Sequence, residues 1–153
     1  GQDLIAREGM LVASAMAAVA FQKGLGGVHA LAHPLGARYH KHHGLLNAIL
    51  LPYVLIANRD TISPDIARLA RYLELPQADF DGFLDWVLEL RQRLGIPHSL
   101  EEIGLDAEAA DWVGEQALAD VSSSDTNACV LSAADYSQIF RNAVHGVLPG
   151  VKP

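Results

Sequence analysis

The sequence predicts an all-α fold on three observations. Apolar residues recur at three- and four-residue spacing along most of the chain, glycines and prolines punctuate those stretches, and no β-branched alternating run appears. Leu4, Ile5, Leu11, Val12, Ala15, Met16 and Val19 define a first helix over residues 3–22, expected to be largely buried and to end at Gly24, Gly26 and Gly27. A second helix is expected over 28–37, with Pro34 tolerated near its start or at a functional kink. Residues 44–58 read as a third, strongly apolar helix in spite of Pro52. Ser63 and Pro64 read as the cap of a fourth, which runs to about Leu73 with Ile66, Leu69, Ala70 and Leu73 on its apolar face.

Residues 79–94 are amphipathic: Phe80, Phe83, Leu84, Val87, Leu88 and Leu90 are apolar, Asp81 and Glu89 solvated, and Gly95 marks the stop. Residues 96–100 form a connector, with Ser99 to Glu102 spaced as a capping box. Helices over about 106–120 and 132–144 complete a bundle of about seven, and the polar stretch 122–127 reads as a connecting loop.

A chain of 153 residues, half of them hydrophobic, suits a single domain that buries its core without disulfides. The net charge of -7, with Lys and Arg scattered, argues against a nucleic-acid partner. One cysteine, Cys129, leaves no internal disulfide and no CxxC pair, which suits a reducing, cytoplasmic setting. The longest apolar runs, 10–21 and 45–57, are shorter than the roughly 20 residues that span a bilayer, so no membrane partner is expected. Asp3 and Glu8 stand where a secretory signal would carry positive charge. The first residue is Gly1 and not Met, so the chain is expected to be cut from something longer.

Function concentrates in residues 26–52, GGVHALAHPLGARYHKHHGLLNAILLP, which hold five of the seven histidines. His29 and His33, four apart, share a helix face, and His43 lies a short helix and a turn further on. Clustered imidazoles point to metal binding, proton transfer or both. Two are fewer than the three or more protein ligands usual for a tight catalytic ion, so a carboxylate or another histidine is wanting. The alternative is histidines that cap helices or satisfy buried polar groups. His40 and His42 flank Lys41 on a polar turn and read as solvated; His98 and His145 stand alone. The GLGG at 24–27 follows a helix pattern, so it fits a tight turn or a close backbone approach, not a dinucleotide fingerprint. Asp60, Asp81, Asp106 and Asp111 read as exposed helix-end carboxylates.

These residues resemble the C-terminal helical domain of the iron-containing (group III) alcohol dehydrogenases, of the dehydroquinate synthase-like fold. The segment AFQKGLGGVHALAHPLGARYHKHHGLLNAILLPYVLIAN carries the resemblance most specifically, with softer matches in LGIPHSLEEIGLD and LSAADYSQIF. The resemblance implies that His29 and His43 are metal ligands for Fe2+ or Zn2+, and that His33 lies near the nicotinamide and substrate and assists proton transfer. It implies NAD or NADP held mainly by an N-terminal domain that this chain does not include. It further implies a small alcohol or aldehyde substrate and a homo-oligomer. The family's other two ligands, in a DxxxH arrangement, belong upstream of Gly1; Asp3 is followed by Arg7 where histidine would be needed. The chain is therefore expected to be an incomplete domain, inactive alone. The competing readings are a metal-independent relative of the maleylacetate reductase type, a non-catalytic helical interaction module, and a standalone metal-binding protein.

Overall fold

The computed structural model describes residues 1–151. The helices are α1 (Leu4–Phe21), α2 (Gly27–Tyr39), α3 (His43–Ala57), α4 (Arg59–Tyr72), α5 (Phe80–Arg93), α6 (Ala110–Ala119), α7 (Val121–Ser124) and α8 (Ala133–His145), with a 3-10 turn at Glu101–Ile103. No strand is found among the described residues.

The main core lies between α2, α3, α6 and α8, where Leu31, Leu35, Leu46, Ile49, Val113, Tyr136 and Phe140 are fully buried. Helix α6 packs closely on α8 at Gly114, where a Cβ would collide with Ser137 Oγ and the Ala133 carbonyl. Gly114→Ala is therefore expected to cost about 1–3 kcal/mol through overpacking. Urea denaturation checks this, and an unchanged midpoint would contradict it. Helices α3 and α4 bend by 110° around Asn58. On the far side of that bend, Ala70, Phe83 and Val87 make a second, smaller core with Leu51, Leu55 and Ile66.

Among the described residues, four of the eight α-helices have their starts fixed by side-chain caps. Asp3, Asp79 and Ser132 accept from backbone N–H groups of the first turns of α1, α5 and α8. At α8 the capping is reciprocal: Asp135 Oδ2 accepts from the Ser132 N–H at 2.8 Å, and Ser132 Oγ accepts from the Asp135 N–H at 3.2 Å. The Ser132 hydroxyl and then its backbone N–H hold the Asp135 carboxyl below the usual carboxylate range. Because the folded value is depressed, this stabilisation is complete above the ordinary carboxylate pKa of about 4 and is lost as pH falls through the folded value. Thermal melts on acidification are expected to fall less steeply for Asp135→Asn than for the wild type; identical slopes would contradict the cap.

Several expectations need correction. Helix α1 forms, but it is not buried: none of its residues is covered, and Leu4, Ile5, Met10, Leu11, Met16, Val19 and Phe21 all face outward. Periodicity reports an apolar face, not the partner that covers it. At 18 residues α1 is also long and apolar enough to cross a membrane by length and composition. Helix α4 starts at Arg59, so Ser63 does not cap it; its hydroxyl donates back to the Arg59 carbonyl at 2.6 Å, a bond available only inside a helix. Leu69 and Leu73 on its expected apolar face are 40% and 37% exposed. Ser99 and Glu102 do bond reciprocally, but around a 3-10 turn. Helix α6 begins only at Ala110, because Asp106 instead closes a turn with the Glu108 N–H. Part of 122–127 is helical, in α7. Pro34 and Pro52 lie inside α2 and α3, where burial of Ala30, Leu31, Leu35, Ile49 and Leu50 outweighs the roughly 3 kcal/mol that an interior proline costs.

Candidate metal centre

The turn between α2 and α3 brings three histidines together. His29 and His33 stand one turn apart on α2, and His43 is the first residue of α3. Their ring centroids form a near-equilateral triangle, 5.6 Å from His29 to His33, 5.2 Å from His29 to His43 and 5.5 Å from His33 to His43. His40 and His42 serve the turn itself: His40 ends α2 in the left-handed region, and His42 Nδ1 accepts from the Leu45 N–H to cap α3. His98 lies elsewhere, its Nε2 3.0 Å from the Gly146 carbonyl.

The start of α2 is fixed by the 122–127 segment, which is thus more than a connector. Gly24 has φ +109°, and a Cβ on it would strike Thr126. Thr126 Oγ1 accepts from the Leu25 and Gly26 N–H groups, and Asn127 Oδ1 accepts from the Gly27 N–H. Asn58 at the α3–α4 bend donates to the same Asn127 oxygen, and its own Oδ1 accepts from Asn127 Nδ2 and the Cys129 thiol. The close approach of GLGG is to this loop.

Two residues passed over in the sequence complete the cluster. Asp120, between α6 and α7, places Oδ2 2.7 Å from His33 Nδ1, and its Oδ1 accepts from Ser122 Oγ at 2.6 Å. Burial pushes the Asp120 carboxyl up, but hydrogen bonds from Ser122 and His33 outweigh it and leave the pKa lowered. An ionised Asp120 accepts the His33 Nδ1–H, which leaves Nε2 as the working nitrogen. Eighty-seven residues separate the two, so no local pattern marks the pair. Asn47, one turn after His43 on the same helix face, lies with Nδ2 3.0 Å from His43 Nε2 and 3.3 Å from His29 Nε2. That i+4 spacing was the available signal.

The residues present fit an ion on two counts. Both Nε2 atoms come within 3.3 Å of one point, the Asn47 Nδ2, so that in the Nδ1–H tautomer both lone pairs face it. Burial, and then the neighbouring His43 and His33, lowers the His29 pKa and so favours the neutral, ligating imidazole. His29 Nδ1 is buried without a hydrogen-bond partner. Among the described residues no group of three or more His, Cys, Asp or Glu side chains is arranged to hold an ion, so this chain offers two imidazoles and not a complete set. A cleft of about 650 Å³ runs from Ala17, Ala20 and Phe21 at the end of α1 to His29. A larger depression of about 810 Å³, lined by Asp85, Arg91, His98 and Glu102, contains none of the three clustered histidines.

An all-helical domain with three histidines gathered at a two-helix turn defines a class that comparison with known proteins makes specific. The model of the Fe-containing alcohol dehydrogenase family, C-terminal, matches residues 1–144, and the chain belongs to that family as its C-terminal domain. The match includes α1, which is accordingly part of the domain. The 4-hydroxybutyrate dehydrogenase of Cupriavidus necator is 40% identical over 153 residues, 94% of this chain and 39% of that protein. Among solved structures, 1,3-propanediol oxidoreductase superposes with a TM-score of 0.71 at 29% identity over 78% of this chain and 32% of that one. The alcohol dehydrogenase from Oenococcus oeni gives 0.70 at 33% identity, with the same coverage. The chain thus spans about two fifths or less of the length of these relatives.

Proposed function

We propose that this domain serves a metal-dependent, NAD- or NADP-linked interconversion of a small alcohol and its aldehyde, with His29 and His43 as two of the ion's ligands. The convergence of both Nε2 atoms on one point carries the reading. Family membership and relatives named as 4-hydroxybutyrate dehydrogenase and 1,3-propanediol oxidoreductase support it. An iron or zinc ion held there supplies a Lewis acid for the alcohol or carbonyl oxygen. His33 is the proton-transfer group at the nicotinamide and substrate. Its Nε2 is available to exchange a proton with the substrate hydroxyl, while Asp120 fixes the ring's tautomer and orientation through Nδ1. The cleft from Phe21 to His29 offers an apolar wall for a short carbon chain. On this reading the remaining ligands and the dinucleotide site lie outside these residues, the chain alone turns over nothing, and the enzyme is a cytoplasmic homo-oligomer with neither nucleic acid nor membrane as partner. The intact, convergent imidazole pair favours this over a metal-independent relative of the maleylacetate reductase type.

Metal analysis and calorimetric titration of this chain with Fe2+ or Zn2+, beside His29→Ala/His43→Ala, test the reading. Weak one-to-one binding that the double variant abolishes is expected. Tight, sub-micromolar binding would mean that the chain completes its own site.

The exposure of all of α1 favours a second role, that of an interaction face, compatible with the first. Sedimentation across a range of concentrations is expected to show self-association that Leu11→Glu/Met16→Glu reduces; a strict monomer would argue against α1 as a face for a second copy.

A further inference from the structure

Asp120 closes α6 and opens α7, a place where an aspartate ordinarily caps the helix by accepting a backbone N–H through its carboxylate. Here it makes no such bond. The Ser123 and Ser124 N–H groups donate to its main-chain carbonyl instead, at 2.9 and 2.8 Å, which leaves both carboxylate oxygens for side chains. Oδ2 lies 2.7 Å from His33 Nδ1, and Oδ1 accepts from the Ser122 hydroxyl at 2.6 Å.

A carboxylate held at one oxygen swings about its last side-chain torsion, which is broad and roughly two-fold. Held at both, it keeps its plane. Without the Ser122 hydroxyl, Oδ1 is free to turn to the nearby α7 N–H groups in the usual capping manner, and that turn draws Oδ2 away from His33. Burial raises the Asp120 carboxyl, and the Ser122 hydroxyl, ahead of His33, brings it below the usual range. Ser122 is itself tied to the helix it serves: its carbonyl accepts from Thr126 Oγ1, which accepts from the Leu25 and Gly26 N–H groups at the start of α2.

We propose that Ser122 is a positioning residue for proton transfer: its hydroxyl locks the Asp120 carboxylate in the orientation that accepts the His33 Nδ1–H, and so keeps His33 Nε2 bare for the substrate. This rests on the reading of His33 as the proton-transfer group. In alcohol oxidation the hydroxyl proton moves to Nε2, the Nδ1–H stays on Asp120, and no proton leaves Ser122.

The test is the rate at which the His33 Nδ1 proton exchanges with water, read by 1H–15N NMR of this chain as wild type, Ser122→Ala, Ser122→Thr and Asp120→Ala. Circular dichroism confirms folding; Ser122 is exposed, so its loss leaves the core intact. Ser122→Ala is expected to quicken exchange at least about five-fold, Asp120→Ala to quicken it further, and Ser122→Thr, which keeps the hydroxyl, to restore it. In the dehydrogenase that carries this domain, Ser122→Ala should lower kcat about three- to ten-fold with KM and metal content unchanged, a small part of what a positioned acid–base group supplies. Exchange or kcat left as in the wild type by Ser122→Ala, with Asp120→Ala altering both, would overturn the role of Ser122 alone. Exchange that Asp120→Ala leaves unchanged would remove the pairing and this inference with it, whereas a kcat indifferent to His33→Ala would remove the reading beneath it.

Discussion

In the dehydrogenase that carries this domain, His33→Ala is expected to leave metal content unchanged and to lower kcat by about 10²–10⁴-fold, the usual worth of a positioned acid–base group. The separation of effects follows from geometry. His33 directs Nδ1 to Asp120 at 2.7 Å, whereas His29 and His43 direct Nε2 toward Asn47. Removing His33 should also flatten the pH dependence of kcat. Asp120→Asn should act in the same direction but less strongly, since the ring remains and only its orienting carboxylate charge is lost. Steady-state kinetics with elemental analysis on the same samples checks both. An unchanged kcat would return His33 to a packing role, and loss of metal would make it a ligand.

Phe140→Ala is expected to destabilise the domain by about 3–5 kcal/mol. The ring is fully buried on α8, in the core formed by α2, α3, α6 and α8, with Leu31, Leu46 and Val113 also fully enclosed there. Truncation removes its apolar burial and leaves a void that helices on every side must collapse to fill. Because α2 and α3 carry the histidines and share that core, weaker metal binding should accompany the lost stability. Urea denaturation with an unchanged m-value would report the loss; a cost below about 1 kcal/mol would mean the core repacks freely.

How much was legible depends on whether the determining interaction was local. Helix α5 could be read within a residue at either end, because Asp79 caps it and Phe80, Phe83, Leu84 and Val87 repeat on one side. Helix α8 likewise shows its start in Ser132 and Asp135. Helix α4 misled because Ser-Pro is a cap signal in isolation, whereas here the chain turns at Asn58, held by Asn127 across 69 residues. The exposure of α1 was hidden for a similar reason: Leu11 and Met16 look like core residues whether or not anything covers them.

At the site, His29 and His33 declared themselves by spacing, and His43 by its place after a short turn. Asp120 did not, because its role exists only once α6 packs on α2. Asn47 was within reach of the same i+4 reasoning that paired His29 with His33, but an amide among histidines does not stand out.

X-ray absorption at the zinc edge of the Zn2+-loaded chain tests the central claim most directly. The account predicts two imidazole nitrogens in the first shell, with oxygen ligands making up the remainder, and their loss from the spectrum of His29→Ala/His43→Ala. A shell with three or more imidazoles, or one unchanged by the double variant, would contradict it.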